Sequence, residues 1–162
     1  MMVNTAKVIG RRDVRYTDLS EFIEEVEQFA ASEHRTLGNW TYAQILQHLA
    51  DAIRFSLDGF PEKAKAPWFA RVIIAPLMKN SLLTKPMKPG FILPKGAAEL
   101  VPQPEIDLHT ALHNLRRAVS RLEHETPSKP HPFLGKLASQ EWEALTLRHS
   151  AMHMSFVVPV DS

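Results

Sequence analysis

His149 and His153 stand four positions apart in a segment of helical spacing, and this pair is the part of the chain best suited to chemistry. At about 100° per residue, Trp142, Leu145, His149, Met152, His153 and Phe156 fall on one side of residues 140–156. That side reads as the buried stripe of a last helix, so both imidazoles are expected to point into the core. Two buried polar rings side by side are costly unless each finds a partner, and the usual partners are a metal ion or a hydrogen-bonded carboxylate. In an earlier helix, Ile45, Leu46, Leu49, Ala52 and Ile53 form the apolar stripe, and His48 lies on its flank beside Gln44, Ala52 and Phe55. If the two helices are neighbours, three neutral imidazoles meet on a short arc. Three protein ligands, with a fourth position left to water or substrate, is the arrangement catalytic zinc sites favour. The competing reading makes His149 and His153 core histidines held by carbonyls, carboxylates or one another, and His48 a partly exposed flank residue. Asp51, Glu141 and Glu143 are the candidate carboxylates for orienting metal-bound rings.

The other five histidines read differently. His109 and His113 share the same four-residue spacing, but the stripe of their helix centres on Leu115 and turns both toward solvent. His34, His124 and His131 sit in or beside linkers, where solvated or capping roles are expected. The sequence has no cysteine, which excludes disulfides, thiolate ligands and a cysteine nucleophile together. No Ser-His-Asp or paired-carboxylate pattern competes with the histidines.

Four helices are expected to position this set. The first covers residues 17–31, with Leu19, Phe22, Ile23, Val26, Phe29 and Ala30 at helical spacing and Thr17 as N-cap. The second starts at a capping box, Thr41 with Gln44, flanked by the hydrophobic staple Trp40 and Ile45, and stops at Asp58, Gly59 and Pro61. The third covers residues 105–123, and the fourth follows Ser139 as N-cap, with Glu141 suited to the positive end of its dipole. Residues 59–104 hold most of the twelve prolines. Within them PWFARVIIAPLMKNSLL is apolar enough for a helix broken or kinked at Pro76, whereas TKPMKPGFILPKGAAELVPQP reads as an extended connection. Short strands are allowed, but nothing demands a sheet. The expectation is a single all-α domain over residues 1–162, a four-helix bundle with a long Pro-rich connection between its second and third helices.

The stretch LGNWTYAQILQHLADAIRFSLDGFP, followed by HPFLGKLASQEWEALTLRHSAMHMSFVVP, resembles the DinB-like superfamily of four-helix metalloproteins, most closely a subgroup of unknown function. The matching features are a tryptophan-led second helix with a histidine in its second turn, the HP-x-x-G-x-L lead into the last helix, and the terminal HxxxH. The resemblance spans most of the chain. It implies zinc or nickel bound through three histidines, which carry over to His48, His149 and His153, and it brings in low-molecular-weight thiols as cofactors of some members. Many relatives have another histidine just before the second ligand and a glutamine three residues after it, where this chain has Met152 and Phe156, so a shared substrate does not follow. Trp68, Arg71 and Lys79 in the Pro-rich segment are candidates to cover or shape a pocket around Phe55, Trp68, Met152 and Phe156; the alternative is a connection that simply wraps the core.

Two classes of function stay open. In the first the protein is an enzyme, a hydrolase or a thiol-dependent S-transferase acting on a small molecule, with the ion activating a water or a thiol. In the second it is a noncatalytic bundle that binds a metal or a small ligand, or pairs with itself as a homodimer. Nineteen basic and eighteen acidic residues are interspersed, which gives no footprint for nucleic acid. No apolar run approaches a membrane span, and the opening MMVNTAKVIGRRDVRY has no signal-peptide core, so a cytoplasmic protein without a membrane partner is expected.

Overall fold

The computed structural model describes residues 2–90 and 95–160, and of residues 95–97 only the backbone. The first helix, α1 (Leu19–Ala30), begins one residue later than the composition indicates. Asp18, not Thr17, is its N-cap: the Asp18 carboxylate accepts from Glu21 N at 2.9 Å, and Glu21 reaches back to Thr17 N at 2.7 Å. Helix α2 (Tyr42–Asp58) opens on the expected capping box, with Gln44 N donating to Thr41 Oγ1 at 3.2 Å and Thr41 N to Gln44 Oε1 at 2.9 Å. It ends at Gly59, whose φ of +104° is a conformation other residues rarely adopt.

The Pro-rich connection carries a fifth helix, α3, over residues 68–84. Pro76 neither breaks nor ends it. Proline lacks the N–H for a normal helical bond, and the chain absorbs this just upstream with a π-helical stretch, Ala70–Ile74, where Ala75 N bonds Ala70 O. The α-helical portion Ala75–Thr84 continues from there. Of the expected extended connection, residues 91–94 lie outside the described residues, and Lys95–Leu100 forms a 3₁₀ stretch. Helix α4 (Leu108–His124) takes Asp107 as N-cap, three residues later than expected. Helix α5 (Ser139–Met154) has Ser139 as its first helical residue, and its start is held by Glu141 Oε2, which accepts from Ala138 N at 2.9 Å.

One hydrophobic core joins α1, α2, α4 and α5, with Phe22, Val26, Leu46, Leu49, Leu115 and Met154 enclosed. α2 lies along α4, and α5 touches α1, α2 and α3. The expected burial of α5 needs correction. Its side toward the main core is Leu147, Ser150, Ala151 and Met154, while Trp142 and Leu145, which share the expected stripe with His149 and His153, are buried too, roughly a third of a turn or more away. α5 is therefore covered on more than one face, and a single stripe misdescribes it.

A two-stranded antiparallel sheet also forms: β1 (His34–Thr36) pairs with β2 (Val157–Pro159), His34 opposite Pro159 and Thr36 opposite Val157. Val157 and Val158 are buried and β-branched, and Pro159 disfavours helix in the residue before it, so the chain leaves α5 as a strand. The sheet, extended by Leu37 N donating to Phe156 O at 2.9 Å, draws the α1–α2 linker against the end of α5. Among the described residues no helix is long and apolar enough to cross a membrane.

Candidate metal centre

His48 from α2 and His149 and His153 from α5 meet. One ligating nitrogen from each lies within 4.8 Å of the others. His48 Nε2 is 3.2 Å from His149 Nε2, which is 3.1 Å from His153 Nε2. The rings are inclined to one another by 74°, 58° and 80°, so three edges converge without stacking. Burial is reversed from the sequence-based expectation. His48 is the enclosed member at 3% exposure, because α2 and α4 lie side by side and the 3₁₀ stretch before Val101 covers its flank. His149 and His153, though densely surrounded, each keep part of their surface open.

The orientation of His48 is set by the backbone. Its Nδ1 lies 2.7 Å from the Leu100 carbonyl oxygen. A carbonyl only accepts, so Nδ1 carries the proton and Nε2 presents a lone pair toward the other two rings. The partner expected to be a carboxylate is thus a main-chain carbonyl. Asp51 accepts from Gln47 at 3.0 Å and from Arg54 at 3.2 Å, Glu141 pairs with Lys79 at 2.7 Å, and Glu143 is exposed. None of the three is hydrogen-bonded to a ring of the site.

A proton on His149 Nε2 can serve one linear hydrogen bond, to His48 or to His153; a second proton on His153 Nε2 would abut the first. Two short contacts on one nitrogen are not both satisfied by neutral imidazoles. A cation satisfies all three lone pairs. Nitrogens bound to zinc at ~2.0–2.1 Å with tetrahedral angles stand roughly 3.3–3.4 Å apart, close to the two short separations here.

Electrostatics agree with neutral ligands. Burial pushes the His149 pKa down to about 3, helped by repulsion from His48 and His131, and holds His153 far below its usual range, helped by His149, His48 and Arg11. Burial also lowers His48, although the Leu100 hydrogen bond and Asp51 oppose it. All three imidazoles are unprotonated at neutral pH, as metal ligands must be.

Trp40 walls the site. Its ring stacks on His153 at 5.5 Å and 11°, and lies 4.8 Å from the His48 ring. The sequence marks Trp40 as half of a hydrophobic staple and as the lead of the second helix, without placing it at the histidines; the signal for that was an aromatic side chain entering the helix that carries His48. His131 was read as a linker residue and is instead packed against Phe60 and Trp142, each at 5.6 Å, with its pKa lowered to about 4 by burial. Its Nδ1 accepts from Phe133 N at 3.1 Å and Leu134 N at 3.0 Å, so Nε2 carries the proton. The expected pocket does not assemble. Phe55 clusters with Ala64, Leu100 and Phe60, Phe156 joins the main core, and Trp68 is 71% exposed beside Phe69. Arg71 is exposed as well, and Lys79 is engaged with Glu141. His109 and His113 are exposed as expected, and His124 faces its own helix end, with Nδ1 2.8 Å from Ser120 O. His34 is half-buried in β1 against Tyr42.

The profile of a family described as a protein of unknown function, DUF1569, matches residues 8–160, and the chain belongs to that family. No curated protein matches it. No solved structure matches it either.

Proposed function

We propose that this DUF1569 protein is a metalloprotein of the DinB-like type, with α1, α2, α4 and α5 as a four-helix bundle and α3 as an addition in the long crossover. His48, His149 and His153 would hold one divalent ion, zinc or nickel in preference, through their Nε2 atoms. The observation that carries the reading is the convergence of three lone pairs, with the His48 tautomer fixed by Leu100.

The reading extends to catalysis because, among the described residues, three ligands converge, which leaves a fourth position to water or substrate, and His149 and His153 are half-buried where His48 is enclosed. An ion with a free position supplies Lewis acidity, lowering the pKa of a water or thiol toward neutral. The chain supplies the rest. Trp40 fixes His153 from one side and sheds water from it. Low pKa values keep the three imidazoles free of competing protons. His131 offers a fixed Nε2–H, a neutral donor, from the aromatic cluster with Trp142, which lies on the same side of α5 as His149 and His153. Hydrolysis and thiol-dependent transfer to a small electrophile are the reactions this equipment suits.

The test is cobalt-substituted protein titrated with a low-molecular-weight thiol. A new sulfur-to-metal charge-transfer band, absent in His153→Ala, supports an open position. An unchanged cobalt spectrum at saturating thiol and at saturating imidazole argues for a closed, structural site and against catalysis.

A further inference from the structure

α3 is turned inside out. Its contacts with α5 include polar ones: the Lys79–Glu141 ion pair at 2.7 Å, and Arg148 Nε donating to Leu83 O at 2.8 Å. Only Ala75 is buried. The large apolar side chains face outward instead, with Trp68 71%, Val72 65%, Ile73 57% and Leu77 80% exposed and Phe69 beside them. A surface helix ordinarily buries its apolar side, so one that exposes five large apolar side chains within ten residues points to an interaction site.

Charge identifies the occupant. Between Glu62 and Glu99 the sequence has seven lysines and arginines and no acidic residue. Arg71, Lys85 and Lys88 are exposed on or just beyond α3 and make no ion pair among the described residues. A second copy docked face to face would set this basic segment against itself, because a two-fold interface pairs a patch with its own image. An apolar surface with anionic groups at its edge complements both features. A tryptophan at one end of the helix and exposed cations on the same segment are what an interfacial, non-spanning lipid contact uses. We infer that the outer face of α3 docks this protein onto an anionic lipid surface. The apolar side chains enter the acyl boundary while Arg71, Lys85 and Lys88 meet lipid phosphates. The sequence alone predicts no membrane partner, and lipid docking departs from that expectation: no described helix is long and apolar enough to cross a membrane, but the sequence does not reveal that the apolar side chains of α3 face outward.

The experiment is co-sedimentation of the full chain with vesicles of phosphatidylcholine alone and of phosphatidylcholine with phosphatidylglycerol. Binding is expected to the mixed vesicles, to weaken with added salt, and to be nearly absent with phosphatidylcholine. Val72→Ser with Leu77→Ser should abolish it without lowering the melting temperature, both residues being exposed. Arg71→Gln with Lys85→Gln should lower partitioning about 25-fold, at about fivefold per cation. Wild-type protein left in the supernatant with mixed vesicles overturns the inference, as does a double-serine variant that sediments like wild type. A stable wild-type dimer that the serine pair splits, with no vesicle binding, assigns the face to a second copy and also overturns it.

Discussion

His48→Ala separates the two roles a buried histidine can have, because its consequences differ with and without metal. Without metal, the variant loses the Nδ1–H···O bond to Leu100 at 2.7 Å and leaves that carbonyl unpaired in a buried position. An orphaned buried acceptor costs about 1–3 kcal/mol. With zinc at about a hundred times its dissociation constant, the parent gains a further ~2.7 kcal/mol that a two-histidine remnant largely forfeits. A chain of this size shifts its melting temperature by about 2–4 °C per kcal/mol. The parent should therefore melt about 2–12 °C above the variant in chelator, and the gap should widen by about 5–11 °C in zinc. Thermal unfolding followed by circular dichroism reads both numbers, and His109→Ala, on the exposed pair, is the control expected to show no zinc-dependent difference. A gap identical in chelator and in zinc would make His48 a packing residue and refute the three-ligand argument.

Other outcomes follow from the same geometry. His48, His131, His149 and His153, each held neutral by desolvation, bind fewer protons folded than unfolded at mildly acid pH. Stability should fall as pH drops below the unfolded value near 6.5, by up to about 1.4 kcal/mol per pH unit for each histidine; urea midpoints that stay level from pH 7 to about 5 would contradict it. Trp40 stacks on His153, so zinc titration should change tryptophan fluorescence, and Trp40→Phe should remove most of the change; an undiminished signal would assign it to Trp142 or Trp68. Glu25 accepts both Arg12 Nη1 at 2.6 Å and the Tyr16 hydroxyl, and Arg12 also donates to Val157 O at 2.6 Å and Met154 O at 3.0 Å at the end of α5. Glu25→Gln should cost about 1.5–3 kcal/mol in a urea titration at pH 7, and a loss under about 0.5 kcal/mol would show the cluster to be incidental.

The local signals in the chain were read with different success, and the reasons are physical. The α2 start was legible because a capping box is a contact between residues three apart, wholly contained in the sequence. The four-residue spacing of His149 and His153 was legible for the same reason, and α2 and α5 do bring His48 to them. Their burial was assigned in the wrong order because it depends on what lies across from each ring. His48 is sealed by a 3₁₀ stretch far along the chain, and α5 is covered on two sides. The Leu100 carbonyl was invisible, since a backbone acceptor carries no side-chain signature. His131 was hidden by its neighbours: prolines and a glycine read as linker, yet the turn they make folds its ring against Trp142. In the sequence Pro76 signals a break or kink, and a π-helical stretch just upstream absorbs it within a continuous helix. The sheet was missed because its partners lie at opposite ends of the chain and each strand is three residues long.

The most direct test of the metal centre is the ion content of untagged protein purified without chelators, measured by mass spectrometry beside a His149→Ala, His153→Ala double variant. About one zinc or nickel ion per chain in the parent, and almost none in the folded variant, is the predicted result for a three-histidine site. No ion in either, even after incubation with zinc and nickel, would contradict the account and leave His48, His149 and His153 as core histidines.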